Sequence, residues 1–494
     1  MHGTSSMTSY TPPGDGPFAI PTGLLIGERW IPAANGATIA VDDPATGATL
    51  ATVADAAPEE GIAAVDAAAA AATSWAATAP RRRAEVLLAC YHAMMAQQEW
   101  LARLIALENG KALPDARGEV AYAAEFFRWY AEEAVRIPGE LATSPAGGNR
   151  IMVRYQPIGI ALLITPWNFP AAMATRKIAP ALAAGCTCIL KPAAETPLTA
   201  LAVAEIMRRA GVPAGVVNVV TTSRPGPVCS AILHDPRVRK LSFTGSTQVG
   251  RVLLREAADQ VISSSMELGG NAPFVVFDDA DLDAAIDGAM VAKMRNAGEA
   301  CTAANRFYVQ RGIHDRFVAR LVERMGALTV GPGTDPATQC GAMINRKAVE
   351  KIERLVADAV GKGARVELGG RTPAGDGCFY PPSVIADVRP GSAILHEEVF
   401  GPVAAVTGFD TEDEAVALAN DTEYGLAAYV YSGDLRRALA VADRIDCGMV
   451  AVNRGLVSDA AAPFGGMKQS GLGREGSHHG LLEYCEAKYI AVTW

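Results

Sequence analysis

The chain has 494 residues, half of them hydrophobic and a fifth charged, with a formal net charge of -9. That length exceeds one ordinary core and predicts two or three domains with ample apolar material to bury. The negative balance disfavours a nucleic-acid polyanion as main partner, and no apolar run reaches the roughly 18 residues of a membrane span.

In chain order, the opening MHGTSSMTSYTPPGDGP lacks the basic start and apolar core of a signal peptide and is expected to be a disordered leader. The Ala-rich stretch from Ala63 to Ala79 is interrupted by Asp66, Thr73 and Ser74 and reads as a helix of a water-soluble protein. From Ile158 the pattern alternates: IGIALLI as a buried strand, a helix from Met173 to Ala184, CTCILK as a strand, a helix from Pro197 to Ala210, then VVNVV and KLSFTG as strands. Short strands separated by helices predict a parallel, doubly wound, Rossmann-like α/β sheet with right-handed crossovers. After Glu267 the alternation restarts with FVVF, a helix from Leu282, FYVQ and a helix from Asp315, and it continues to about Ala451, which predicts a second α/β domain.

Nine cysteines scattered without CxxC pairs fit reduced thiols of a cytoplasmic protein better than a disulfide framework. Cys186 and Cys188 read as core residues at a strand start rather than metal ligands, since no His or second pair lies near. Ligands of such sheets bind beyond the carboxyl ends of strands. Here ALLIT leads into Trp167 and Asn168, CIL into Lys191, and LSF into Gly245 and Ser246. FTGSTQVGR is the candidate phosphate loop, because a strand ends at Phe243 and Gly245, Ser246 and Gly250 open a helix; a plain glycine turn is the bland alternative. GLGREG satisfies GxGxxG at Gly471, Gly473 and Gly476, but no apolar strand precedes it, so it is rejected as the cofactor loop.

Cys301, in RNAGEACTAANR, follows Glu267 by 34 residues and has only small neighbours in Ala300, Thr302, Ala303 and Ala304. A thiol open to a small electrophile, with a carboxylate as candidate base, points to covalent chemistry on a carbonyl. An isolated cysteine is more often a small buried hydrophobe. A cofactor-free cysteine hydrolase using His478 or His479 is the competing class, although those histidines precede a C-terminal helix and read as surface residues.

ITPWNFP (Ile164 to Pro170), ILKPAAETP (Ile189 to Pro197), FTGSTQVGR (Phe243 to Arg251), the Glu267 and Cys301 runs, EEVFGPV (Glu397 to Val403) and PFGGMKQSGLGREG (Pro463 to Gly476) occur in this order. Together they resemble the aldehyde dehydrogenase superfamily over roughly residues 20 to 490, most closely its succinate semialdehyde dehydrogenase group. The resemblance implies a cofactor domain over 18–137 and 157–267, a catalytic domain over 268–470, and an oligomerisation arm over 138–156 and 480–494. It also implies a homodimer or homotetramer, a small-molecule aldehyde as substrate, NADP or NAD as cofactor, and no metal.

For the site, it implies Cys301 as nucleophile, Glu267 as general base, Asn168 as oxyanion donor and Glu475 as proton relay. Trp167, Lys191, Gly245, Ser246, Glu398 and Phe400 are implied on the cofactor. Ala194 stands where NAD-preferring relatives often carry a glutamate, which opens the way to NADP, while Glu195 next door keeps the question open. Arg176, Arg295 and Ser458 match the residues that hold the substrate carboxylate, with the guanidinium groups expected at the mouth of an apolar tunnel. Arg454, Glu299 and Ala303 depart from the pattern, and Ala303 removes a second cysteine beside the nucleophile.

Overall fold

The computed structural model describes residues 9–13 and 16–493; most of the expected leader lies outside the described residues, as does Trp494. Two large sheets carry the architecture. The first has eight strands in the order Gly471–Leu472, Ser263–Glu267, Val238–Thr244, Ile160–Ile164, Thr187–Lys191, Val217–Val219, Leu24–Ile26 and Arg29–Ile31. Its five central strands run parallel, and the edges pair antiparallel.

Alternation along each strand explains the double winding. Ile160, Leu162 and Ile164 feed one core, with the helices Pro58–Ala77, Pro225–Leu233 and Thr247–Ala258. Ala161 and Leu163 feed the other, with the helices from Pro80 to Glu133 and the helix Pro170–Ala184. Every residue of IALLI and TCILK is buried, as expected of strands covered on both faces. The helix Pro170–Ala184 is buried along its whole length, opens with Pro170 in its first turn and stops at Gly185 with φ +99°.

The second sheet has seven strands in the order Arg365–Leu368, Ser383–Ala386, Val403–Phe409, Ala304–Gln310, Ala272–Val276, Ala427–Tyr431 and Met449–Val452. Phe274 anchors one face, with the rings of Tyr431 and Phe307 5.0 and 5.1 Å away. A third, antiparallel sheet joins Cys485–Val492 to Arg150–Pro157 and then to Gly139–Thr143, whose five residues are all exposed.

The hairpin Thr38–Asp42 with Thr49–Ala54 and the helices between Pro80 and Glu133 are additions to the elements read from sequence. His478 and His479 belong to the helix Ser477–Leu482 rather than preceding it. Cys186 and Cys188 are buried in the first core. Among the described residues no single helix is long and apolar enough to cross a membrane, although Pro58–Ala77 and Pro80–Ala96 would qualify jointly were they not bent by 119°. No group of three or more His, Cys, Asp or Glu side chains among them could hold a metal ion.

Candidate active site

In the first sheet the strand order reverses between Ile160–Ile164 and Val238–Thr244, and a cavity of about 270 Å³ opens beyond their carboxyl ends. Trp167 and Asn168 follow the first of these strands, Gly245 and Ser246 the second, and all four line the cavity. Ser246 caps the helix Thr247–Ala258 by accepting from the Val249 amide at 3.3 Å, so the helix's first-turn N–H groups and positive dipole end face an exposed edge. At Gly245 a Cβ would stand 2.5 Å from the Phe243 ring, so a side chain at this turn would have to displace that ring.

The opposite wall comes from the second sheet. Cys301 precedes the strand Ala304–Gln310, and Gly270 precedes Ala272–Val276. A Cβ on Gly270 would lie 2.5 Å from the Cys301 carbonyl oxygen, so glycine there lets the Cys301 backbone approach. Just upstream, Asn296, Ala297 and Gly298 all take left-handed conformations, with φ of 52°, 50° and 78°. Asn296 ties this turn to the first wall: its Nδ2 donates to the Asn168 carbonyl at 2.9 Å and to the Glu299 carbonyl at 3.1 Å. Asn168 Nδ2 donates to that same Glu299 carbonyl at 3.0 Å. An amide nitrogen carries two hydrogens, so one remains for a ligand in the cavity.

Glu398 accepts from the Gly270 amide at 3.2 Å, and burial pushes its carboxyl up to about 7. Phe400, also at positive φ, meets the Trp167 ring edge-on at 5.4 Å. A helix N-terminus suited to a pyrophosphate and an acidic group suited to ribose hydroxyls thus open on one cavity, and this donor set fits a nicotinamide dinucleotide. Lys191, a buried ammonium at the end of the strand Thr187–Lys191, and half-buried Ala194 lie outside the cavity lining, and Glu195 is exposed.

Arg176, Arg295 and Ser458 also line the cavity. Two arginines are expected at its mouth, and Arg176 departs from that expectation. Half-buried Arg295 lies 5.2 Å over the Phe169 ring, but Arg176 is only 2% exposed. Its position midway along a wholly buried helix puts it inside the protein, against the Phe464 ring at 4.1 Å, the Tyr122 hydroxyl, and Glu475 Oε2 at 3.6 Å.

Burial pushes the Cys301 thiol up to about 12; Arg176 and Arg295 pull against that rise, while Glu398 and Glu267 add to it. Glu267 and Glu475 lie behind the cavity rather than on its lining. Burial lifts the Glu267 carboxyl well above the usual range, the neighbouring Glu475 lifts it further, and Lys177, Arg176 and Arg474 oppose. The surroundings of Glu267 are thus charged as well as apolar. Glu475 Oε1 accepts from Lys177 Nζ, which also donates to Ser242 Oγ at 3.0 Å, while Oε2 of both glutamates is buried without a hydrogen-bond partner among the described residues.

Lys177, Tyr122 and Phe464 escaped the sequence reading. MATRKIAPALAA sets two adjacent cations among small apolar residues, and a buried cation needs a partner; the signal that singles out Arg176 applies equally to Lys177. Nothing local marks Tyr122, and Phe464, although inside the PFGGMKQSGLGREG run, carries no chemistry that singles it out. Of the departures, Arg454 is exposed and donates to the Leu456 carbonyl at 2.9 Å, outside the cavity lining. The Glu299 carboxylate takes the Ile344 amide at 3.1 Å, and burial pushes it up to about 8. His478 bonds Glu133 at 2.7 Å, and neither it nor His479 reaches the cavity lining, which removes the support for a Cys–His hydrolase.

The model of the aldehyde dehydrogenase family matches residues 30–490. The chain is 56% identical over 444 residues to a succinate-semialdehyde dehydrogenase of Paenarthrobacter nicotinovorans, covering 90% of this chain and 99% of the relative. It is 49% identical over 463 residues to a glutarate-semialdehyde dehydrogenase of Pseudomonas aeruginosa, covering 94% and 96%. The crystal structure of an NADP-dependent enzyme of E. coli superposes with a TM-score of 0.94 at 49% identity, over 96% of this chain and 98% of that one. With Cys301 and Asn168 facing one cavity at the switch point of its first sheet, the chain belongs to the aldehyde dehydrogenase family.

Proposed function

We propose that this protein oxidises succinate semialdehyde to succinate with NADP or NAD. One observation carries the reading: the cavity that holds Cys301 also holds two guanidinium groups and the Ser458 hydroxyl, a receptor for the anionic far end of a short aldehyde. The lone methylene between a succinate and a glutarate skeleton leaves glutarate semialdehyde as second reading, supported by the similarity to the Pseudomonas enzyme.

In this mechanism the Cys301 proton goes to a base and the sulfur adds to the aldehyde carbon, giving a thiohemiacetal oxyanion. Asn168 Nδ2 and the Cys301 amide donate to that oxygen. A nicotinamide dinucleotide would supply the hydride acceptor when bound; Trp167, Gly245, Ser246, Glu398 and Phe400 are the residues that would hold it, with Lys191 toward its adenosine ribose. The substrate is left as a Cys301 thioester. Glu267 takes a proton from water, water adds to the thioester carbon, and succinate leaves as the thiolate re-forms. Lys177 and Glu475, hydrogen-bonded behind Glu267, carry that proton onward.

Ala194 offers no carboxylate to repel a 2′-phosphate, which favours NADP. We place the domain division at 18–137 with 157–267, 268–470, and 138–156 with 480–494, although Gly471–Leu472 joins the first sheet from outside those bounds, and the exposed strand Gly139–Thr143 is the proposed contact of a homodimer or homotetramer working in the cytoplasm. The test is the initial rate with succinate semialdehyde, glutarate semialdehyde and butanal, each with NADP and NAD. A preference for one semialdehyde over butanal is expected; equal rates for all three would sink the anion-receptor reading while leaving the dehydrogenase chemistry.

A further inference from the structure

Behind the cavity, and outside its lining, an ion pair has no exposed atom: Lys111 Nζ meets Glu119 Oε2 at 2.5 Å, and both side chains are wholly buried. Lys111 lies in the short link between the helices Gln98–Asn109 and Leu113–Glu133. Its ammonium also donates to the Asn168 main-chain carbonyl at 2.7 Å and stands 4.0 Å over the Phe169 ring. Glu119 spends its other oxygen on the Ala171 and Ala172 amides, at 2.9 and 3.3 Å, so it caps the helix that Asn168 leads into.

We propose that Lys111 is a positioning residue for Asn168. Stability alone does not account for the pair, since replacing a buried ion pair by apolar residues of similar volume is often neutral or stabilising. What a leucine or methionine in place of Lys111 could not do is hold the Asn168 carbonyl. That oxygen takes two donors from two directions, Lys111 and Asn296, and Asn296 simultaneously grips the carbonyl on which Asn168 Nδ2 rests. With the peptide clamped at its oxygen and the helix start clamped by Glu119, the Asn168 amide keeps one place relative to Cys301. Lys111 itself touches neither substrate nor cofactor. The inference rests on reading Asn168 as the oxyanion donor.

The test compares Lys111→Met, Glu119→Gln, the double variant Lys111→Met/Glu119→Gln and Asn168→Ala. It reads the burst of nicotinamide reduction at saturating aldehyde, KM, the melting temperature, and the alkylation rate of Cys301 by iodoacetamide. Lys111→Met strands a buried carboxylate and is expected to lower the melting temperature; the double variant removes both charges, keeps an acceptor for the two helix amides, and recovers it. The burst in the double variant is nevertheless expected to stay down by roughly tenfold to a hundredfold, with KM and alkylation little changed. Adding Asn168→Ala to it should cost nothing further. Glu119→Gln alone, with Lys111 still on the carbonyl, should lose melting temperature but keep its burst.

A full burst in the double variant, losses that multiply with Asn168→Ala, or a burst loss in Glu119→Gln equal to that in Lys111→Met would each overturn the inference while leaving the oxyanion reading intact. An undiminished burst in Asn168→Ala would overturn both.

Discussion

The two large sheets meet the cavity with opposite ends. From the first come the segments after its strands: Trp167 and Asn168 beyond Ile160–Ile164, Gly245 and Ser246 beyond Val238–Thr244. From the second come the segments before its strands: Cys301 ahead of Ala304–Gln310 and Phe400 ahead of Val403–Phe409. The means of positioning differ accordingly. Helix starts and glycine turns place the first set at little conformational cost. The second set relies on left-handed residues at Asn296, Ala297 and Phe400, each of which stores on the order of 1 kcal/mol that packing must offset. Proposed binding groups come from both walls, the proposed nucleophile from the strained one.

Substitutions on the two walls test that division. The largest effect belongs to the strained wall: Cys301→Ala should lower kcat/KM by roughly 10⁴-fold or more while the cofactor still binds and melting is unchanged. Residual turnover near the parent rate would reassign the nucleophile.

Glu267→Gln comes next and touches only the second half-reaction. One equivalent of reduced nicotinamide per site should form at the normal rate, followed by turnover slowed about 10² to 10⁴-fold. Because the folded carboxyl titrates well above the usual range, its base form is lost as pH falls through that raised value. Parent turnover should drop there while the burst does not; a burst that falls in step would place Glu267 before the hydride step.

On the receptor, Arg295→Gln should raise KM for succinate semialdehyde roughly tenfold or more and leave butanal nearly untouched. The same substitution removes one of the two cations that pull the Cys301 thiol down. Alkylation by iodoacetamide should keep accelerating with pH beyond the ordinary thiol range in the parent, and higher still in the variant; a plateau near the ordinary range would show an already activated thiolate.

The smallest effect is on the relaxed wall's far edge. Ala194→Glu should move the NADP to NAD ratio of kcat/KM toward NAD by about tenfold. No movement would send the 2′-phosphate elsewhere.

The same contrast explains how much could be read from the chain. Alternating buried runs such as IALLI and TCILK announce the doubly wound sheet, and the rule that ligands gather beyond carboxyl strand ends reaches Trp167, Asn168, Gly245 and Ser246 from pattern alone. No comparable rule covers amino-end segments. Glu398, Phe400 and Ser458 were legible only through resemblance, and Asn296 not at all, because its role depends on a left-handed turn that brings it to Asn168, 128 residues away. Buried charge was half legible: Arg176 could be singled out, but its closeness to Glu475, some 300 positions later, depends on how the Phe464–Glu475 bridge packs against the helix Pro170–Ala184. Lys111 looks like an ordinary surface lysine before Ala112 and Leu113, and only the closed core around it reveals otherwise.

The helix Pro170–Ala184 has no solvent face of its own. Its interior amides can meet water only when the layers on either side separate, so in deuterium oxide they should be among the last protons to exchange. Their rate then gives the free energy of opening the whole molecule rather than of fraying one part. Since Arg176 and Lys177 ride on this helix, one arm of the proposed receptor for the substrate's charge and the cation paired with Glu475 belong to the last-opening unit.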